Sequence, residues 1–458
     1  MSGASFESAE LRDLFGLPAE SSSQDYASVS TDTRTIGEGD LFVALRGENF
    51  DGADFLDEAA RCGARGAVVP HGAISPEADF ELFAVSDTTR ALGSLASHHR
   101  TRSAVRVVGI TGSSGKTTVK EMLAHALSGS FDTHRTKGNL NNRIGLALSI
   151  LGAPAEADVW VLELGTSLPG EIAELTAIAD PDDAVVTTVG PAHLEGLGDI
   201  QGVLDEKLAL VRGARSEGNI VVGEIPADLP LAARRIRPET ITAGIGATAD
   251  YSPDDYEVGA EEVVFRKDGA TYRVAAGGMH HLRDALLAAS LAERLDVPPA
   301  RAAAGLAEFR PLGLRGAVRQ LGDLTVIADC YNANPESFQA AIEHCRRAFP
   351  DRRRVAVIGT MLELGSYSDR EHSRVARLLA GGGFDLVIAQ GEFARAFSHT
   401  DASAAGMQIT VAETAADAWV ALEPELRGDE VVLVKASRGV RLEVVVEGLE
   451  KAYAGGVV

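Results

Sequence analysis

The sequence predicts an α/β protein of three units, the middle one a phosphate-binding parallel sheet. Three observations carry this. Apolar, β-branched runs alternate with helix-periodic stretches over most of the chain. One such run, Val105-Arg-Val-Val-Gly-Ile110, leads into Gly112-Ser-Ser-Gly-Lys-Thr-Thr118 and then a helical pattern. The 458 residues exceed what one ordinary core holds.

Residues 1–100 read as a small α/β unit. Short strands at 40–45 and 66–70 flank a helix over 53–62, which Gly63 stops. The polar run His98-His-Arg-Thr-Arg-Ser103 suits a boundary. Residues 101–313 follow, with strands at 105–110, 159–164, 184–189 and 219–222 separated by helices, a parallel sheet covered on both faces. Alternating segments at 263–265 and 272–274 with Lys267-Asp-Gly269 between them predict a hairpin, and 281–295 a helix. Pro and Gly break the pattern in Phe309-Arg-Pro-Leu-Gly-Leu-Arg-Gly316. Residues 314–458 then give strands at 325–328, 355–358, 386–389 and 431–434. That is a second doubly wound, Rossmann-like unit without a Gly-x-Gly-x-x-Gly fingerprint.

Composition narrows the function. Asp and Glu number 66 against 43 Lys and Arg, a formal net charge of −23. That argues against general nucleic-acid or anionic-membrane binding. Cys62, Cys330 and Cys345 have neither metal spacing nor a disulfide framework. The first ten residues lack a basic region followed by an apolar one, and no run of 18 apolar residues occurs. A cytoplasmic monomer is expected.

The chemistry begins at the glycine loop. Gly112 and Gly115 let the backbone approach phosphate oxygens, and the N–H groups of Ser113, Ser114 and Thr118 lie at the helix start. Lys116 would meet terminal phosphates and Thr117 would ligate Mg²⁺. The loop is a short variant, because Ile110 stands where Gly-x4-Gly-Lys-Thr needs a glycine. Glu163 ends an apolar strand, where a carboxylate faces the ligand crevice and can hold Mg²⁺. On position alone a surface glutamate fits equally well. His193, in Gly190-Pro-Ala-His-Leu-Glu-Gly196, and Lys207 are by themselves an ordinary loop histidine and helix lysine.

Taken together and in order, these segments resemble the Mur ligase family. The resembling stretches are Ser30-Thr-Asp-Thr-Arg34, Gly39 to Gly47, Gly109 to Thr118, Gly138-Asn-Leu-Asn-Asn142, Glu163-Leu-Gly165, Pro169-Gly-Glu-Ile172 and Val189 to Gly196. Asp329-Cys-Tyr-Asn-Ala-Asn-Pro-Glu-Ser337, Met361-Leu-Glu-Leu-Gly365 and Val434-Lys-Ala-Ser-Arg438 continue the series. The resemblance implies uridine-nucleotide, ATP-binding and Rossmann-like domains that close around their ligands. It implies amide formation through an acyl phosphate, driven by ATP. The Tyr-Asn-Ala-Asn-Pro and Glu-Leu-Gly segments point to addition of D-alanyl-D-alanine to a UDP-N-acetylmuramoyl-tripeptide, a step of peptidoglycan synthesis and cell-wall biogenesis.

The resemblance also implies roles. Lys116 meets the γ-phosphate, and Thr117 and Glu163 hold Mg²⁺. His193 and a carbamylated Lys207 hold a second Mg²⁺. Asn139 and Asn142 line the junction of nucleotide and substrate; Arg315 reaches ADP, with Asp329 and Asn332 near ribose and hinge. Lys435, Ser437 and Arg438 group near the dipeptide, and Ser30, Asp32 and Arg34 at the uridine end. Departures occur at Ser167-Leu168, Arg143, Thr360, Ala53 and His280-His281-Leu-Arg-Asp284. At the last, two amides associated with adenine become His281 and Asp284, and an ionised Asp284 can only accept. Two other readings stay open: a related ligase with another amine or acceptor, and a degenerate nucleotide-binding protein.

Overall fold

The structure is a computed structural model describing residues 4–20, 24–47, 50–76, 79–398 and 406–453; the first three residues of the leader reading lie outside these. The chain forms three main sheets in sequence order. The first has four parallel strands, Val29–Ser30, Leu41–Val43, Gly66–Pro70 and Glu81–Val85, neighbours in chain order. Asp51 starts the segment after the second strand by accepting the Ala53 N–H, and the helix there is Leu56–Arg61.

The second sheet has six parallel strands in the order Ile241–Ala243, Ile220–Gly223, Asp183–Val186, Arg106–Thr111, Val159–Glu163, Thr133–Arg135. Arg106–Thr111 is where the winding reverses, so the crevice at its C-terminal end is where such sheets bind ligands. Val107, Val108 and Ile110 are fully buried, as a strand covered on both faces requires. The helix Lys116–Ser128 follows, and Val119, Met122, Leu123, Ala126 and Leu127, which set its predicted period, are all buried. The predicted hairpin is part of a three-stranded antiparallel sheet, Asp255–Val258, Val263–Lys267 and Ala270–Val274.

The third sheet runs Ala317–Leu321, Leu324–Asp329, Val431–Lys435, Arg354–Ile358, Leu386–Gln390, Gln408–Ala412. Only its first pair is antiparallel. Asp329 and Lys435 stand in register at the ends of adjacent strands.

The polar run at 98–103 closes the helix Thr88–Arg102, which packs on the helices Arg143–Leu151 and Glu171–Ala179 of the second unit. The Arg100 guanidinium is buried, donates to the carbonyls of Ala179, Asp180, Ser103 and Val105, and pairs with Asp182 at 2.8 Å. His99 stacks on Trp160, ring centres 5.5 Å apart. These polar atoms find internal partners, which polarity alone cannot reveal. No described helix is long and apolar enough to cross a membrane.

Candidate active site

The loop after Arg106–Thr111 takes its shape from two glycines. Gly112 has φ +152°, and a Cβ there would fall 1.9 Å from Thr187 Oγ1. Gly115 has φ +82° and begins the helix Lys116–Ser128, whose first N–H groups stay free for an anion. The Ser113 hydroxyl and the Gly190 backbone bond each other, and the Thr188 hydroxyl accepts the Ser114 N–H at 3.2 Å. Lys116 Nζ folds back onto the Gly112 carbonyl at 2.7 Å. Burial and the Arg315 charge depress its pKa, while the Glu163 carboxylate raises it.

Glu163 is buried at its strand end. Its Oε1 accepts from the Thr117 hydroxyl at 3.1 Å and from Asn141 Nδ2 at 2.7 Å. Its Oε2 has no hydrogen-bond donor; the nearest cation is Lys120 Nζ at 3.5 Å. A hydroxyl beside a carboxylate with one open oxygen is the hard-oxygen donor set that Mg²⁺ takes.

His193 has φ +56°, a costly conformation for a non-glycine residue, and starts the short helix Leu194–Leu197. Its Nδ1 bonds the Glu363 carboxylate, leaving Nε2 for a further partner. Burial, with the Lys116 and Lys207 charges, pulls its pKa down despite Glu363. Lys207 sits on the helix Ile200–Gly213 with 0% exposure, and its Nζ has no hydrogen-bond partner. Burial and the Lys116 charge push that ammonium far below the ordinary lysine range.

A cavity of about 740 Å³ opens over this arrangement. It brings together Ser113, Ser114, Gly115, Lys116, Thr117, Thr118, Asn139, Asn142, Glu163, His193, Arg315, Asp329, Asn332 and Lys435. Gly112, Lys207, Ser437, Arg438, Ser30, Asp32 and Arg34 do not line it. The Asn142 side chain accepts the Gly145 N–H and so caps its helix, whereas Asn139 is exposed. Lys435 is buried and paired with Asp329 at 2.5 Å. Arg315 lies 3.7 Å over the Tyr331 ring, and Arg438 lies 5.0 Å from it. Ser437 is buried, accepting the Leu362 N–H. The Ser30 hydroxyl donates to the Asp32 carbonyl, and Arg34 pairs with Asp32 at the surface, drawing that carboxyl down to about 2.

At the departure in 280–284 the side chains of His281 and Asp284 are buried. His281 Nδ1 is engaged by the Gly277 carbonyl at 2.7 Å. Asp284 is buried against Gly115, and burial with the nearby Glu336 pushes its carboxyl well above the usual range, toward the protonated form.

Sequence reasoning assigned no role to Glu363, Asn141, Lys120, Asn334 or Glu336. Glu363 and Asn141 lie inside the motifs Met361 to Gly365 and Gly138 to Asn142, the one signal that could have raised them. Asn334 caps the helix Pro335–Ala348 and donates to the Ser114 hydroxyl at 3.0 Å.

Fold and site define a nucleotide-binding α/β protein with a phosphate loop at the switch point of its central sheet. Three family descriptions match in order: "Mur ligase family, catalytic domain" over residues 25–100, "Mur ligase middle domain" over 110–292 and "Mur ligase, glutamate ligase domain" over 315–438. The chain belongs to the Mur ligase family. It is 33% identical to the UDP-N-acetylmuramoyl-tripeptide–D-alanyl-D-alanine ligase of Escherichia coli, over 97% of this chain and 98% of that one. A crystal structure of MurF from Acinetobacter baumannii superposes with a TM-score of 0.87 at 28% identity, covering 98% and 100% of the two chains. MurF from Thermotoga maritima in complex with ADP gives 0.81 at 30% identity, covering 93% and 97%.

Proposed function

We propose that this chain joins D-alanyl-D-alanine to a UDP-N-acetylmuramoyl-tripeptide at the expense of ATP, as a cytoplasmic step of peptidoglycan synthesis. The observation that carries the reading is a phosphate loop sharing one cavity with Glu163 and His193, in a chain similar along its length to ligases of that name.

A carboxylate is a poor electrophile, and phosphorylation gives it a leaving group. Lys116 turns from the Gly112 carbonyl to the terminal phosphates and neutralises charge built up during transfer. The loop N–H groups hold the phosphates without reorganising. Mg²⁺, held by Thr117 and Glu163 at one position and by His193 and Lys207 at another, would supply charge neutralisation. A deprotonated Lys207 amine is a nucleophile for CO₂: its nitrogen bonds the carbon, a proton leaves, and a carbamate results. That converts a group with no partner into one with two oxygen ligands.

The units then serve as follows: 1–100 the uridine nucleotide through Ser30, Asp32 and Arg34, 101–313 ATP, and 314–458 the amine. Asn139, Asn142, Arg315, Asp329 and Asn332 line the cavity; the first two are assigned to the junction of nucleotide and substrate, the others to ADP. Exposed Arg438 meets the dipeptide, with Lys435 and Ser437 fixing the strand end beneath it. One chain carries every group named, so a monomer suffices.

Mass spectrometry of products from a panel of UDP-muramoyl peptides and dipeptides tests the reading. One tripeptide-to-pentapeptide product should form, with ADP and phosphate in equal amounts. Product from a different amine, or ATP hydrolysis uncoupled from any product, overturns it.

A further inference from the structure

Two arginines outside the ion pairs of the molecule meet at one aromatic ring. Tyr331 follows the strand Leu324–Asp329, and its backbone N–H donates to the Leu314 carbonyl at 3.1 Å. That bond draws the strand end against the linker where Arg315 stands, between Gly313 at φ +58° and Gly316 at φ +71°. Arg438 opens the short helical turn Arg438–Val440, after the strand Val431–Lys435 that lies beside Leu324–Asp329 in register. The ring thus sits where the linker and two strand ends of the third unit converge. The guanidinium carbon of Arg315 is 3.7 Å from the ring centre and that of Arg438 5.0 Å.

Among the described residues, neither guanidinium has a hydrogen bond or an ion pair. Carboxylates are plentiful, with 66 Asp and Glu against 43 Lys and Arg. Arg12, Arg100, Arg106 and Arg353 each hold one. Arg315 and Arg438 hold the ring instead. The Tyr331 hydroxyl has no hydrogen bond to a described residue either, so what this side chain supplies is its π face.

A guanidinium held over a ring keeps its N–H donors available to an anion. Like charges gathered at one ring also repel, and an anion arriving at either relieves that repulsion. Tyr331 and Arg315 line the cavity of the phosphate loop, and Arg438 lies outside its lining. We propose that Tyr331 is a positioning residue that holds both guanidiniums by one ring, Arg315 for the nucleotide phosphates and Arg438 for the incoming dipeptide. The two ligands rest on the function proposed above; the shared ring rests on the geometry. Removing the ring loosens both ends of the reaction at once.

The test uses Tyr331→Phe, which keeps the ring, and Tyr331→Leu, which removes it; Tyr331→Met stands in if Tyr331→Leu fails to fold. ADP affinity is measured by calorimetry, and KM and kcat for D-alanyl-D-alanine by phosphate release. Tyr331→Leu should raise the ADP Kd and the dipeptide KM each about two- to fivefold, the scale of an exposed cation–π contact, with kcat changed less than KM. Tyr331→Phe should match wild type in both. Arg315→Leu should raise the ADP Kd, and adding Tyr331→Leu should raise it no further; Arg438→Leu should act likewise on the dipeptide KM. Additive losses in either cycle, a change at one ligand only, or a Tyr331→Phe as weak as Tyr331→Leu overturn the shared ring. In the protein without ligands, phenylglyoxal should modify Arg315 and Arg438 at least about twofold faster in Tyr331→Leu than in wild type or Tyr331→Phe, read by peptide mass spectrometry. If wild type neither binds ADP nor forms product, the function reading fails instead. The modification rates then decide the ring, and equal rates in the three proteins overturn it.

Discussion

Two lysines of the central unit are held without the carboxylate partners that lysines ordinarily have. Lys116 is tied only to a carbonyl, and Lys207 has no hydrogen bond at all. A buried ammonium without a partner is costly, so each must gain one or lose its charge. For Lys116 the proposed partner is phosphate. Lys116→Ala should lower kcat by at least about a hundredfold, since losing one charge-stabilising contact typically raises the barrier by about 2.7 kcal/mol or more. Near-normal turnover would remove the loop from the mechanism. For Lys207 the proposed remedy is carbamylation. Lys207→Ala should be nearly inactive and partly rescued by short carboxylic acids that fill the vacated space. Wild type equilibrated with ¹³C-labelled CO₂ should show a carbamate resonance that Lys207→Ala lacks. Full activity of the variant without added acid would leave His193 without its proposed partner.

The elements that build the site depend on close backbone approach more than on propensity. Gly112 lets the loop pass Thr187, and any Cβ there collides with Oγ1 of that side chain. Gly112→Ala should weaken ADP binding more than tenfold and destabilise the protein by roughly 1–3 kcal/mol, the scale of local backbone strain. Calorimetric titration and thermal melting check both. Unchanged ADP affinity would show that the loop adapts. This glycine was legible in the sequence because strand, turn and helix period agreed around it. So were the central strands of both six-stranded sheets, where β-branched runs are long and apolar. Edge strands were not: Thr133–Arg135 and Ala317–Leu321 are half exposed and carry polar residues, so no apolar run announces them. The helix Thr88–Arg102 hid its end behind polar residues whose partners lie elsewhere in the chain, those of Arg100 in residues 103–182 and those of His98 and Arg102 at Glu10. Within the site, the loop, Glu163 and His193 could be read from motifs. Glu363, Asn334 and Glu336 lie in motifs too, but their roles could not be read there, because what matters in each is the element it faces, some 150 residues or more away in sequence.

At the scale of the molecule the third unit meets the phosphate loop and the loop at 188–193 through a few side-chain contacts. Asn334 bonds Ser114, Glu336 accepts from Thr188, and Glu363 holds His193. Each of these joins a group on the third unit to a loop that would touch nucleotide or metal, so binding and docking are linked. Between the second and third units Pro311 and Gly313 interrupt regular structure, so a few residues there can absorb a rotation. A nucleotide analogue with both substrates should therefore shift the population toward the docked arrangement. Small-angle scattering should show a smaller radius of gyration on adding the three ligands together than on adding any one. Asn334→Ala combined with Glu363→Ala removes two of these side-chain anchors and should enlarge the radius in the absence of ligand, with part of the compaction recovered on saturation. If the radius is the same in wild type and double variant, with and without ligands, the third unit is fixed in place by apolar packing. The polar contacts would then position side chains without governing closure.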